Sequence, residues 1–389
     1  MAWRESGLVT PRIAKYNKLE PPSRQLQSMT IDSFNSIPAT PTIALGERRI
    51  GAGQPVYVVA ELSANHSGSL ETARELVRAA KAAGADAVKL QTYTADTLTI
   101  RSDRPEFRIS GGTLWDGRTL YDLYQEAATP WEWHADLFAE ARRLGMDCFS
   151  TPFDTSAVDF LEALNPPAHK IASFELVDLA LLRKVAATRR PVILSTGMAT
   201  LEEISEAVTT LRDTGCRELV LLKCTSSYPA PVEETNLRTI PDLASRFDCP
   251  VGLSDHTPGI ACPVVAVSLG ASLIEKHFTL SRQTPGPDSA FSLEPTEFAE
   301  MIGAIRVAEA ALGRVHYGLS PAETKSRVFR RSLFAVADIA AGERFTEQNV
   351  RSIRPGHGLP PKELPKIVGK RAARAISRGE PLSWDCVNE

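Results

Sequence analysis

Short β-rich apolar runs and amphipathic helical stretches alternate along most of the chain. The runs are Val56–Leu62, Ala87–Leu90, Asp147–Ser150, Lys170–Ala172, Pro191–Leu194, Leu219–Leu222, Val251–Leu253 and Leu273–Ile274. Most stand roughly 20–30 residues apart, the length of one strand-plus-helix unit. Between them apolar residues recur at helical spacing. Leu70, Ala73, Val77 and Ala80 share a face that ends at Gly84. Leu201, Ile204, Val208 and Leu211 share another, opened by the capping pair Thr200 and Glu203 and closed by Gly215. Pro295 suits the first turn of a last helix that runs to Gly313. Strict alternation of this kind predicts a (β/α)8 barrel rather than an open doubly wound sheet. One unit is long: Ile100 to Trp133 adds aromatic-rich sequence, expected to form a loop over the barrel mouth.

The pattern fails at both ends. Residues 1–40 are polar and spotted with Pro and Ser, without a period able to bury a face, and are expected to be a flexible extension. Met29 reads as a natural start, so residues 1–28 are expected to be dispensable. The barrel is placed at 41–313 and a linker at 314–329. Residues 330–389 form a small, mostly β module with strand-like runs at Ser332–Val336, Arg351–Ile353 and Ala373–Ile376. Such a module suits a lid better than a catalytic centre.

Composition narrows the function. A net charge of −3 with no Lys/Arg-dense run offers no field for nucleic acid. No apolar stretch reaches the ~18 residues that cross a bilayer, and the N-terminus lacks the zones of a secretory signal. The six cysteines are scattered without a CxxC pair, which reads as reduced thiols of a cytoplasmic protein. Cys224 is assigned to packing.

A barrel carries its chemistry at the C-terminal ends of its strands. Those ends bear Glu61, Lys89 with Gln91, Ser150 with Thr151, Lys170 with Ser173, Ser195 with Thr196, Lys223 with Thr225, Ser254 with His256, and Glu275 with His277. All are expected to point into one mouth. A single histidine there is commonly structural; two ending adjacent strands, His256 and His277, point to a metal, and neutral imidazole suits Mn, Co, Fe or Zn. Lys89 and Lys170 lie in apolar strands, where an unpaired ammonium is costly. They are read either as structural ion pairs or as the grip on a small polyanion, helped by the hydroxyls of Thr151, Ser173, Ser195 and Ser254. Glu61 is either a lysine's partner or a carboxylate facing metal and substrate.

The segments AELSANH (Ala60–His66), KLQTYT (Lys89–Thr94), STPFD (Ser150–Asp154), HKIASFE (His169–Glu175), STGMAT (Ser195–Thr200), CTSSYPAP (Cys224–Pro231), GLSDHT (Gly252–Thr257) and EKHFTL (Glu275–Leu280) resemble the sialic acid synthase family. SLFAVADIAAGE and IRPGHGL in the last module resemble the antifreeze-like (SAF) domain of that family. The likeness runs from Val56 to the C-terminus. It implies a transferase in which phosphoenolpyruvate binds through Lys89, Thr151, Lys170, Ser173, Ser195 and Ser254. It implies a divalent metal on His256 and His277, manganese first, with magnesium or cobalt as alternatives. Glu61, Lys89 and Lys170 would be catalytic, and Gln91, Tyr228 and Asp288 would touch the sugar. Arg354 would enter the barrel mouth of a second protomer in a domain-swapped homodimer.

Within the family, LWDGRTLYDLYQEAATPWEWH (Leu114–His134) and PGPDSAFSLEP (Pro285–Pro295) resemble the branch that makes pseudaminic acid. Ser289, Ala290 and Phe291 depart from the pattern of the N-acetylneuraminate and legionaminate branches. The implied partner of phosphoenolpyruvate is an N-acylated amino sugar, 2,4-diacetamido-2,4,6-trideoxy-L-altrose, whose methyl suits aromatic and small apolar walls. The alternatives are an N-acetylneuraminate or legionaminate synthase, a Schiff-base aldolase or lyase using Lys89 or Lys170, and a non-catalytic glycan binder.

Overall fold

The computed structural model describes residues 41–284 and 286–388; the expected flexible extension, residues 1–40, and its dispensable part, 1–28, lie outside the described residues. The chain divides into two compact units, parted between Gly313 and Arg314.

The first unit opens on an element the alternation did not reveal. Strands β1 (Ile43–Leu45) and β2 (Arg48–Ile50) pair antiparallel around Gly46, whose φ of +59° is the left-handed backbone a tight turn needs. Ile43, Leu45 and Ile50 are buried in one cluster with Tyr57, Val59, Phe149, Ile193, Val220, Leu222 and Leu273, the interior residues of the barrel. Three-residue strands carry too little period to be read from sequence.

Eight parallel strands follow: β3 (Tyr57–Glu61), β4 (Ala87–Thr92), β5 (Asp147–Pro152), β6 (His169–Ile171), β7 (Val192–Ser195), β8 (Leu219–Cys224), β9 (Val251–Asp255) and β10 (Leu273–His277). They close in chain order, with β10 pairing β3 in the register Leu273 to Tyr57 through His277 to Glu61. Alternate residues face outward and pack on the helices: Val58, Val88, Leu194, Leu221 and Ile274 share a core with Leu76, Val77, Leu211 and Phe298.

The helices largely follow their sequence signals. The helix Leu70–Ala82 is capped by Ser69, which accepts from the Thr72 N–H, and buries Ala73, Leu76, Val77 and Ala80. Thr200 and Glu203 form the expected capping box of the helix Leu201–Asp213. Leu201 is not on its buried face: it is 40% exposed, and Ala207 joins Ile204, Val208 and Leu211 instead. Positions 201 and 207 flank that stripe on opposite sides at similar angles; what separates them is place, since Leu201 is the first residue of the helix, where the covered face is only beginning. Pro295 starts the last helix, Pro295–Leu312, and Gly313 ends it at φ +49°. The long stretch Ile100–Trp133 is less a loop than expected. It holds a 3-10 turn, Pro105–Phe107, and the helix Leu120–Ala127, capped by Thr119, and its last residues begin the helix Trp131–Arg143. Among the described residues no helix is long and apolar enough to cross a membrane.

In the second unit β11 (Ser332–Ala335) pairs antiparallel with β12 (Val350–Ile353) over a core of Leu333, Ile339, Phe345, Ile367, Ile376 and Leu382. The run Ala373–Ile376 is not a strand. Ala372 bridges Val387 while Ile376 bridges Ile339, so the run changes partner within a few residues and no ladder forms. The stretch before β11 carries a helical turn, Pro321–Thr324, boxed by Ser320 and Glu323, and a 3-10 turn, Lys325–Phe329.

Candidate active site

A parallel barrel ends every strand at the same rim, and the period of two selects which residues look inward. Lys89, Thr151, Lys170, Ser195, Ser254, Glu61 and Glu275 meet there in one buried network. Lys89 Nζ lies 2.6 Å from Glu61 Oε2, 3.3 Å from Glu275 Oε1 and 3.2 Å from Thr151 Oγ1. Lys170 Nζ donates to Ser195 Oγ (2.7 Å) and to the Ile171 carbonyl (3.0 Å), and stands 3.9 Å from Glu275 Oε1. Ser254 Oγ donates to the same Glu275 oxygen at 3.0 Å. Glu61 Oε1 accepts the Ser63 N–H at 2.8 Å.

Not every strand-end group joins them. Ser150 bonds Thr92 Oγ1 (2.6 Å), which bonds His134 on the helix behind the sheet. Lys223 donates to the Cys224 carbonyl, Thr196 to the Leu222 carbonyl, and Thr225 Oγ1 to the Glu234 carbonyl. The expectation that all of them face the mouth is corrected: Ser150 and Lys223 sit one residue out of phase with Thr151 and Cys224, and a pleated strand sends neighbours to opposite faces.

Burial makes the network's charges interdependent. Burial pushes Glu61 up, to about 7, with Lys89 opposing and Glu275 reinforcing the shift. Burial also works against the Lys89 charge, but Glu275 and Glu61 outweigh it and raise that lysine. Lys170 is pulled down by burial, to about 8, only partly held up by Glu275. Glu275 falls below the usual carboxylate range, because Lys170 and Lys89 outweigh the effect of burial.

Above this floor stands a polar wall and an aromatic one. Gln91 Nε2 donates to Ser63 Oγ at 3.0 Å, and Ser63 Oγ donates to Asp288 Oδ2. Tyr228, Phe291 and Trp115 form the other wall, with ring centroids 5.3 Å apart for Tyr228 and Phe291 and 5.9 Å for Tyr228 and Trp115. Ser173 Oγ accepts the Gly197 N–H at 3.0 Å, and that approach requires glycine: a Cβ on Gly197 would lie 2.2 Å from Ser226 Oγ and 2.7 Å from Ser173 Oγ. Glu175, in the turn after β6, is pushed up to about 7 by burial, and its Oε2 has no hydrogen-bond partner.

His256 and His277 end β9 and β10 with ring centroids 5.2 Å apart. His256 Nδ1–H donates to the Thr225 carbonyl at 3.1 Å, which leaves Nε2 as the lone-pair nitrogen. His277 Nδ1 is buried with no hydrogen-bond partner and stands 3.9 Å from Asp288 Oδ2. Burial holds His277 well below the ordinary imidazole range, so both of its nitrogens are not protonated together near neutrality. Among the described residues no group of three or more His, Cys, Asp or Glu is arranged to hold a metal. Two imidazoles on adjacent strand ends, one with an orphaned buried nitrogen, fit an open divalent site that water and substrate would complete, not a closed structural one.

Sequence reasoning placed Glu61, Lys89, Gln91, Thr151, Lys170, Ser173, Ser195, Tyr228, Ser254, His256, His277 and Asp288 on the barrel, and the structure gathers them around its C-terminal mouth. Arg354 follows β12 in the second unit and is exposed. It missed what Glu275 does, although the residue stood at a strand end, and it gave no weight to Ser63, Glu175 or Trp115. For Glu175 and Trp115 the available signal was a carboxylate and an indole within motifs already singled out.

A profile described as the NeuB family matches residues 76–317, and one described as the SAF domain matches residues 330–388. The chain is 49% identical to the pseudaminic acid synthase of Campylobacter jejuni over 84% of its own length and 95% of that protein's. It is 47% identical to the pseudaminic acid synthase of Helicobacter pylori over 85% of itself and 98% of that protein. Among solved structures it is similar to the N-acetylneuraminic acid (sialic acid) synthetase of Leptospira borgpetersenii, at 30% identity and a TM-score of 0.66, covering 74% of this chain and 95% of that one.

Proposed function

The chain belongs to the NeuB family, and on that premise we propose that it is a pseudaminic acid synthase, joining phosphoenolpyruvate to 2,4-diacetamido-2,4,6-trideoxy-L-altrose. The observation that carries the reading is the buried network in which Lys89 and Lys170 flank Glu275, each with a hydroxyl at its ammonium. The two lysines balance Glu61 and Glu275. Phosphoenolpyruvate brings about three negative charges at neutral pH, so its arrival calls for a divalent cation and a proton as well as the lysines.

Lys89, Lys170 and the hydroxyls of Thr151, Ser173, Ser195 and Ser254 hold the phosphate and carboxylate, with charge-assisted bonds strengthened by exclusion of water. C3 of phosphoenolpyruvate forms the new bond to the open-chain aldehyde carbon, and the aldehyde oxygen takes a proton. Glu61, raised to about 7, can hold that proton near neutrality and deliver it. Water adds to C2, and the hemiketal phosphate then loses phosphate by C–O cleavage. A divalent cation, manganese first with magnesium or cobalt as alternatives, would be held by His256 and His277 and would supply Lewis-acid polarisation of the aldehyde. Gln91, Tyr228 and Asp288 orient the sugar. The six cysteines are all unpaired and buried, which suits a cytoplasmic enzyme.

Product mass analysis with the 6-deoxy sugar, N-acetylmannosamine and the legionaminate precursor in parallel tests the reading. The 6-deoxy altrose should give the highest kcat/KM, and ¹⁸O in the C–O–P bridge should leave in phosphate. A higher kcat/KM for N-acetylmannosamine moves the chain to the N-acetylneuraminate reading; label retained in the sugar refutes the cleavage. One observation favours a second reading: Lys170, pulled down to about 8, is nearer a free amine than an ordinary lysine. Borohydride trapping of a lysine adduct would establish that Schiff-base route.

The partner in assembly is a second copy. In the proposed domain-swapped homodimer Arg354 of one protomer enters the other's mouth and binds an acetamido carbonyl, a task for a fixed guanidinium. Arg354→Ala should raise the sugar KM and leave that of phosphoenolpyruvate unchanged. Mixed with Glu61→Gln protein it should regain activity, since one hybrid site is intact. Mixed dimers that form and stay inactive would rule out the exchange.

A further inference from the structure

We propose that Trp115 determines sugar specificity: with Tyr228 and Phe291 it forms an aromatic wall that receives the terminal methyl group of a 6-deoxy amino sugar. The inference rests on the synthase reading above and adds to it the residue that makes the choice.

Trp115 is carried on a tongue between β4 and the helix Leu120–Ala127, and the tongue is internally tied. Ile109 N–H donates to the Arg118 carbonyl (2.9 Å) and Gly117 N–H to the Ile109 carbonyl (2.9 Å). The Asp116 carboxylate accepts from the N–H groups of Gly112 (2.8 Å) and Thr113 (2.9 Å) and from the Thr113 hydroxyl (2.7 Å). This turn presents a half-buried indole whose Nε1–H donates to the Pro287 carbonyl at 3.0 Å, in the loop after β10. The ring is thereby set against Tyr228 at a 52° tilt.

The rings make a path outward from the reacting end of the sugar. Tyr228 stands 4.5 Å from His256, and Phe291 stands 4.9 Å from His277, by ring centroids. An aldehyde held between the histidines and the lysines therefore sends its remaining carbons along Phe291 and Tyr228 toward Trp115. The one polar atom of the indole is already used on Pro287, and Phe291 has none. Of the three rings only Tyr228 brings a further hydrogen-bonding group. Against the indole and Phe291 a methyl loses nothing, whereas a hydroxymethyl gives up water for carbon. Such a wall discriminates against an added hydroxyl by about 10²-fold at most, which is shared among its three rings.

The rival role for Trp115 is to anchor the tongue and nothing more, and two variants separate the roles. With saturating phosphoenolpyruvate, kcat/KM is measured for the 6-deoxy sugar and its 6-hydroxy counterpart in wild type, Trp115→Ala and Trp115→Phe. Trp115→Ala should lower the 6-deoxy value about tenfold, chiefly through KM, and leave the 6-hydroxy value within about twofold. Trp115→Phe should keep most of the wild-type preference, because the ring face survives although the bond to Pro287 is gone. Equal losses on both sugars, a phenylalanine variant as impaired as the alanine one, or an unchanged ratio would overturn the inference while leaving the synthase reading standing. Wild-type protein that ignores the 6-deoxy sugar and turns over the 6-hydroxy one would overturn both.

Discussion

Replacing His277 or His256 with alanine should lower kcat about a thousandfold or more while leaving the fold in place. A Lewis acid at the aldehyde contributes several kcal/mol to the transition state, and each 1.36 kcal/mol is about a factor of ten. The two rings are not equal in their effect on stability. His277 Nδ1 has no hydrogen-bond partner, so its loss removes no such bond at that atom, whereas His256→Ala gives up the bond to the Thr225 carbonyl, worth about 1 kcal/mol. Metal content per chain, read by elemental analysis, should fall with activity in both variants. Exhaustive chelation should silence the wild type, and manganese should restore it but not His277→Ala. Full activity in protein shown to be free of divalent metal would remove the histidines from the chemistry.

The second large effect falls on stability as well as turnover. Lys89→Met strips the cation from a site where Glu61 and Glu275 both lean on it, at 2.6 and 3.3 Å. Breaking a buried pair on one side costs about 3–5 kcal/mol, because a charge stays behind without its partner. Phosphoenolpyruvate binding should be lost with it. The cost should depend on pH, and the direction follows from Glu61, which burial raises from 4.5 to about 7 against the opposition of its lysine first and the Ser63 N–H second. A carboxyl raised in the folded state keeps a proton that the unfolded chain releases above about pH 4.5. Its stabilising proton is therefore present at low pH and lost as pH rises through about 7, and in the variant through a higher value. Urea unfolding should show the smallest deficit of Lys89→Met near pH 5 and the largest near pH 8. Adding Glu61→Gln to Lys89→Met should recover part of the loss at pH 8 without recovering activity. A deficit independent of pH would mean that Glu61 is not the group left uncompensated.

Much of this architecture was legible because its causes are local. A strand of period two, a helix of period 3.6, the box of Thr200 with Glu203 and the stop at Gly313 each depend on residues within a turn or two, and eight repeats of such a unit leave few closed arrangements other than a parallel barrel. Once the strands are parallel, Glu61, Lys89, Lys170, His256 and His277 share a rim by necessity. The phase of each strand was a different matter. Whether Ser150 or Thr151, Lys223 or Cys224, looks inward is settled by the shear of the closed barrel, which no single strand encodes. Nor could sequence pair Lys89 with both Glu61 and Glu275, leave Lys170 without so close a carboxylate, or set the indole of Trp115 on Pro287, 172 residues away. The hairpin β1–β2 escaped because its three-residue strands are held by packing on distant barrel residues, and the run Ala373–Ile376 was misread as a strand because it makes only single bridges to distant segments. The type of the barrel's repeating elements and the roster of reactive groups were thus determined by the sequence itself, through short-range sterics and periodicity. Inward phase, charge partners and the walls around the substrate were decided by tertiary structure alone, because each is a contact between segments that meet only when the barrel closes.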